Sequence, residues 1–323
     1  MRPISRACFA LLAVAVLTSA AIAQDFPQQR PIRMVVPFPP GGVTDVLARV
    51  VGAKLSERYA QQVVIDNRAG ASGIIGTDLV AKSQPDGHTL LMSASSHATF
   101  SSLYSNVPFN EGRDFAPIML AATVPYVLVV HPAFAVKSVP ELIDYAKKRP
   151  GAVSYAGSAP GQAQHLGWEL FKRMTGTSMV YVPYKGSAAQ MPDLLAGRLQ
   201  AAIDSVSIMM PHLKTGALRG IAVTGARRST LLPDLPTVAE SGVPGFQVSG
   251  WFGLFAAAKT PAAIVTRINR DAGAILQQPD VRERLVTLAI EPVGSTPDEL
   301  RKWVAHEAQV WSKVIREAGV KVD

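Results

Sequence analysis

The feature that most limits how this chain folds is an alternation of short apolar strands and amphipathic helices that runs once and then restarts. Ile32-Arg33-Met34-Val35-Val36 reads as a strand, and Pro37 to Gly42 breaks it. From Val43, apolar residues recur at three- and four-residue spacing through Leu47, Val50, Val51 and Leu55, the period of a helix. Gln62–Ile65 is a second strand, Asn67-Arg68-Ala69-Gly70 a turn, Ile74–Ala81 a helix, and Thr89–Met92 a third strand after the turn Asp86-Gly87. Strand, helix, strand, helix, strand predicts a parallel sheet with helices on its faces.

The pattern then restarts. Strands are predicted at Tyr126–Val130, Val153–Tyr155, Met179–Val182, Gln200–Ile203 and Gly220–Val223, with helices between them, among them Val139–Lys148 and His165–Met174. This predicts a second sheet. After the connector Ser241-Gly242-Val243-Pro244-Gly245 come a strand, Phe246–Ala256, and three helices, Pro261–Leu276, Pro279–Leu288 and Pro297–Ala318, each with proline near its start. These helices need a sheet to cover, and the first is nearest. The expected organisation is therefore a leader, 1–23, one domain of 24–125 plus 244–323, and a second of 126–243.

The leader is expected on three features: Arg2 and Arg6, the apolar run Ala7–Leu17, and Ala21-Ile22-Ala23 as a small-residue cleavage site. That is the layout of a secretory signal peptide, too short for a membrane span. Cleavage near Gln24 removes Cys8, the one cysteine, so a mature chain has no disulfide, thiolate metal site or cysteine nucleophile. It also takes the formal charge from +8 to +6. The remaining cations are scattered, with no basic stripe interleaved with aromatics, so nucleic acid is not an expected partner. No G-x-S-x-G, H-E-x-x-H or G-x-x-x-x-G-K-[ST] occurs, and the six histidines show no paired ligand spacing. No metal or cofactor is expected. A serine–histidine–aspartate site assembled across the fold, as in a secreted hydrolase or isomerase, stays open as an alternative.

Two loops carry the expected chemistry. Pro37-Phe38-Pro39-Pro40-Gly41-Gly42-Val43-Thr44-Asp45 leaves a strand and enters a helix, whose first-turn amides have no intrahelical partner and favour an anion. Phe38 and Pro40 stand in the approach, Gly41, Gly42 and Thr44 offer amides, and Asp45 either caps local amides or receives a ligand ammonium or hydroxyl. An ordinary tight turn is the competing reading. Ala156-Gly157-Ser158-Ala159-Pro160-Gly161-Gln162 repeats the idea, with Ser158, Gly161 and Gln162 as contacts. His165 either holds this loop or touches a ligand. Further candidates lie at strand ends: Ser95 and His97 in the run Ser93–His97, Tyr184 and Lys185, and Asp204, which lines a cleft or caps the next helix.

These residues are joined by a wider likeness. Val36-Pro37-Phe38-Pro39-Pro40-Gly41-Gly42, Asp45, Ala48-Arg49, Asp66-Asn67-Arg68, Pro85-Asp86-Gly87, Asp114-Phe115, His165-Leu166, Val182-Pro183-Tyr184-Lys185-Gly186 and Leu232-Pro233-Asp234-Leu235-Pro236-Thr237 resemble the solute-binding proteins of tripartite tricarboxylate transporters, the Bug family. The resemblance covers nearly the whole mature chain. It implies a two-lobed α/β periplasmic binding protein fold (type II) that closes like a flytrap on a cleft between its lobes. It implies a small carboxylate ligand, held partly by backbone amides and water, a membrane permease as partner, and no enzymatic activity. A monomer is expected, and a ligand sensor for a membrane receptor would share the same fold. The chain departs from the family pattern at Ala69, Phe100-Ser101, Ala159, Gln162 and Trp168, two of which lie in the second loop.

Overall fold

The computed structural model describes residues 26–28, 30–157, 161–184, 186–320 and 322. The leader, Ser158 and Lys185 lie outside the described residues. Three parallel strands open the fold in the order β2 (Val63–Asn67), β1 (Ile32–Val36), β3 (Thr89–Ala94). Helices α1 (Val43–Tyr59) and α2 (Ile74–Ala81) connect them. Leu47, Val50, Val51 and Leu55 are buried on α1, as their spacing predicts. A 3₁₀ turn, Ser95–Ala98, and the short α3, Phe100–Leu103, follow β3.

The next strand departs most from expectation. It begins well before Tyr126: β4 runs from Phe115 to Val130 without interruption. At about 3.3 Å per residue it is roughly 50 Å long. Pro117 and Pro125 disguise its first half in the sequence, because proline ordinarily argues against a central strand. Here Pro117 sits at one of two register shifts, and Pro125 lies where the partner changes.

The first half of β4 pairs antiparallel with β9, Ser249–Ala257, which also pairs antiparallel with β3. The second half pairs antiparallel with β7 (Ala201–Ser205) and β8 (Arg219–Val223). Beyond β7 lie β5 (Ser154–Ala156) and the edge strand β6 (Val180–Tyr181), both parallel. The two expected sheets form, and β4, which belongs to both, links them into one continuous sheet of ten strands among the described residues. Helices α4 (Val139–Lys148), α5 (Ala163–Thr175), α6 (Ser187–Leu195) and α7 (Val206–Lys214) belong to the second half. The chain returns by Thr224, which both accepts from and donates to Val248 at 2.8 and 2.6 Å.

The last helices, α8 (Ala262–Leu276), α9 (Pro279–Thr287) and α10 (Pro297–Ala318), cover the first half; the two-residue strand β10, Glu291–Pro292, adds to the edge of β4. A capping box of Thr296 and Glu299 starts α10, and left-handed Gly319 ends it. Near its end α10 reaches the other half, where Glu317 pairs with Arg173 of α5 at 2.9 Å. Trp168 fills the core beneath the second loop: it is fully buried, packs on Tyr155 and Phe171, and donates its indole N–H to the Ala156 carbonyl at 3.0 Å.

His97 corrects one expectation. Its ring is fully buried in the core, stacked on Phe255 at 4.2 Å and edge-on to Phe115, so it does not line a cleft. Neither ring nitrogen has a hydrogen-bond partner, and burial pushes the imidazole down to about 3. The unfolded chain protonates His97 near 6.5. Its contribution is therefore complete above that pH and declines as pH falls toward 3, by about 1.4 kcal/mol per unit. His97→Leu, similar in volume, should keep the stability at pH 7 within about 1 kcal/mol. Urea unfolding between pH 6 and pH 4 should then show a stability slope shallower by about 1.4 kcal/mol per pH unit. An unchanged slope would mean that the imidazole is not held neutral.

Candidate functional site

Strands β1 and β3 run with β4, and β5 and β7 run against it, so their carboxyl ends point toward the middle of β4 from opposite halves: Ala94 is level with Ala122 through Phe252, and Ser205 is level with Tyr126. Ligands of open α/β sheets bind outside such strand ends. The two expected loops share one backbone device. Gly41 (φ +89°) and Gly161 (φ +77°) both occupy the left-handed region that favours glycine. Each precedes an extended helix N-cap, Gly42 (φ −76°, ψ 169°) or Gln162 (φ −72°, ψ 158°). Four residues on, a side chain turns back and accepts the glycine N–H: Asp45 Oδ2 takes it from Gly41 at 2.9 Å, and His165 Nδ1 takes it from Gly161 at 3.0 Å.

This settles several roles. The Gly41 and Gly161 amides are committed inside their loops and are not anion donors. Asp45 is buried and engaged: Arg49 Nε and Asn67 Nδ2 also donate to it, each at 2.9 Å. Burial pushes the Asp45 carboxyl up, but the bonds from Arg49, Gly41 and Asn67 outweigh it and hold the group below its ordinary value. It caps the loop, and three of its roughly four acceptor sites are taken by the protein itself. Asn67 also donates to the Phe38 carbonyl at 3.1 Å, tying the approach to β2. Phe38 is half-buried, and Pro40, Gly41 and Gly42 are exposed.

His165 is the loop's holder. Because its Nδ1 accepts, its proton sits on Nε2, which faces Glu169 Oε1 at 3.6 Å, while the ring stacks on Tyr181 at 3.9 Å. Glu169 also receives Lys172 at 2.8 Å and the Tyr155 hydroxyl at 2.6 Å. Burial opposes its charge, but these donors win and lower its carboxyl to about 2. Gly157 lets the helix start pack against it, since a Cβ there would stand 2.8 Å from His165 Cα.

The donors that remain are the first-turn amides. No side chain caps α1 at Gly42, α5 at Gln162 or α7 at Ser205. The amides of Val43 and Thr44, and of Ala163 and Gln164, keep the outward direction that suits an anion. Two buried hydroxyls at the end of β3, Ser93 and Ser96, have no hydrogen-bond partner. Such groups are rare enough to need a reason. Sequence reading singled out Ser95; the unpartnered hydroxyl beside it belongs to Ser96. The only sequence signal for either serine was its place at a strand end.

The loops face different parts of the opposite half. Gly41, Val43 and Val46 share a cavity of about 720 Å³ with Val206, Ser207 and Lys214 of α7. Gly161 and Gln162 instead close against Ser95, Ser96 and Thr99, with Trp311 beside them. Neither of these two cavities is lined by both loops. The start of α7 is thus the feature that sequence reading missed. It carries no glycine-rich signature, only the Asp204-Ser205 strand end.

Asp204 is fully buried. It accepts from Gln190 at 2.6 Å, from the Ser205 amide at 2.7 Å and from Gln164 at 3.4 Å, so it knits β7 to α5 and α6 and does not cap α7. Burial raises its carboxyl despite these donors. Glu307 on α10, which accepts both Trp251 and Trp311 indole N–H groups at 3.0 and 2.8 Å, is raised for the same reason. The hydroxyl of Tyr126, where β4 changes partners, is pushed up by burial and by these two carboxyls. Tyr184 donates to Asp193 at 2.6 Å and so is engaged within its own half. Among the described residues no group of three or more histidine, cysteine or acidic side chains is placed to hold a metal.

Comparison with known proteins bears on this geometry. Residues 47–320 match the family model described as "Tripartite tricarboxylate transporter family receptor". Protein BugT of Bordetella pertussis (strain Tohama I) is 42% identical over 306 residues, 94% of each chain. A solved structure titled "R. palustris Rpa4515 with adipate" is 41% identical with a TM-score of 0.78, covering 92% of this chain and 100% of that one. MatC (Rpa3494) from Rhodopseudomonas palustris with bound malate is 31% identical with a TM-score of 0.73, covering 90% and 100%. With its two-lobed α/β fold shared along almost its whole length, the chain belongs to the tripartite tricarboxylate transporter receptor family, that of the Bug proteins, which are binding proteins and not enzymes.

Proposed function

We propose that this protein captures a small carboxylate in the periplasm, as a monomer, and delivers it to the membrane permease of a tripartite tricarboxylate transporter. The observation that carries this reading is the set of unclaimed donors at the strand ends: uncapped starts of α1, α5 and α7, and the unpartnered hydroxyls of Ser93 and Ser96. They come from both halves of the sheet. Adipate and malate in the two related structures support the ligand class. The basic, apolar and small-residue order of the first 23 residues supports export.

The magnitudes fit two lobes acting on one ligand. A hydrogen bond to a charged group contributes about 1.5–3 kcal/mol. Micromolar affinity needs about 8 kcal/mol beyond an association penalty of at least ~4. One helix start with two or three amides falls short, and a second set from the facing lobe makes up the difference. The lobes of this reading are 24–125 with 244–323, and 126–243. They are joined where β4 passes Pro125–Tyr126 and where Val248 returns beside Thr224. Gly42, Thr44, Ser158, Gln162 and Lys185 remain the proposed ligand-side residues, with Ser96 and the first turn of α7 added.

Titration calorimetry of the mature protein with adipate, malate and a wider carboxylate panel tests the reading. At least one member should bind one per chain, be recovered unchanged, and at a hundredfold excess over Kd add about 2.7 kcal/mol of stability. A panel without a single stabilising member would overturn it. Asp45→Ala removes the acceptor that orders Gly41, Arg49 and Asn67, so it should weaken that ligand at least tenfold and lower Tm by a few degrees. Wild-type affinity in this variant would disconnect the first loop from binding.

A further inference from the structure

We infer that the outer side of the first lobe carries a second ligand site, built for an amphipathic monocarboxylate. A cavity of about 750 Å³ opens there between α3, the start of β4, the end of β9 and α10. Pockets of about 300–1,000 Å³ are the usual size for small molecules. It is separate from the strand-end region: no residue lining it lines the cavity shared by Gly41 and Ser207, or the seam between Ser96 and Gly161.

Its walls have the two characters such a ligand requires. The floor is apolar, formed by Phe115, Phe255, Val304 and Ala305. Phe115 and Phe255 are fixed from behind by the buried ring of His97, so the floor is rigid. The rim carries Lys259 and Arg301, both exposed and neither in an ion pair among the described residues. Glu111 is the one acid on the lining, so Lys259 and Arg301 together leave the rim with an excess of positive charge. Both oxygens of Glu111 are engaged, Oε1 by the Ser101 amide at 2.7 Å and Oε2 by the Ser101 hydroxyl at 2.6 Å. The third cation, Arg113, is occupied by Asp114 at 2.7 Å.

An apolar body on the rings and a carboxylate between Lys259 and Arg301 would satisfy both parts. A neutral chain would leave the cations without a partner, and an ammonium would be repelled by them. A short dicarboxylate would bring a second charge onto the floor, where burial of an unpaired charge is strongly unfavourable. The site therefore discriminates against the ligand class proposed for the cleft.

Decanoate is the probe, titrated calorimetrically into the mature protein below its micelle concentration, with decanol and decyltrimethylammonium as charge controls. Decanoate should bind one per chain, at least tenfold more tightly than either control. The surface double variant Lys259→Glu/Arg301→Glu should weaken decanoate at least tenfold and remove its preference over decanol. Ala305→Trp, which fills the floor, should abolish saturable binding; circular dichroism and Tm check that each variant is folded. Absence of one-to-one binding, equal binding of the cationic control, or decanoate binding unchanged in the folded charge variant would each overturn the assignment.

Discussion

The molecule is organised around β4. A strand of sixteen residues pairs through its first half with β9 and through its second with β7 and β8, so neither half of the sheet is complete without it. Because the change of partners falls at Pro125–Tyr126, the backbone that joins the halves is also the place where ladder bonding is interrupted. The parallel sets β1–β3 and β5–β7 hang from opposite halves of this strand. The two sets run in opposite directions, so their carboxyl ends point toward each other at the middle of β4, and everything assigned to binding follows from that meeting.

At those ends the structure solves a local problem twice in the same way. A strand must turn sharply into a helix and still leave the helix's first amides uncovered. A left-handed glycine makes the turn, and a side chain four residues later takes the glycine N–H, Asp45 in one loop and His165 in the other. The two side chains differ in charge and chemistry but do the same geometric work. An acceptor that is consumed in this way does not compete for the ligand, so a carboxylate is not repelled by a free Asp45.

Much of the fold was legible because strand–helix alternation is a local signal. The helices Ile74–Ala81, Val139–Lys148 and Pro297–Ala318 were read with their observed bounds. The first half of β4 was not, because its prolines argue locally against a strand that long-range pairing nevertheless accepts. His97 shows the same limit at a single residue. Its place after β3 suggested cleft lining, and only the packing of Phe115 and Phe255 around it reveals a core ring. Trp168, a departure from the family pattern, is explained by a carbonyl and two aromatic neighbours that sequence spacing alone does not bring together.

For the site, sequence alone was enough to identify the glycine-rich turns, the helices they start and the family likeness, because turn chemistry and helix starts depend on residues within a few positions of each other. Which amides are spent, which hydroxyls stay unpartnered, and which element faces each loop were decided only in three dimensions. Asp45 meets Asn67 across twenty-two positions, Asp204 meets Gln164 across forty, and Val43 shares its cavity with Ser207 from the other half of the sheet. Hydrogen-bond capacity is finite, so a residue's role depends on all its partners, and distant partners are set by the tertiary fold.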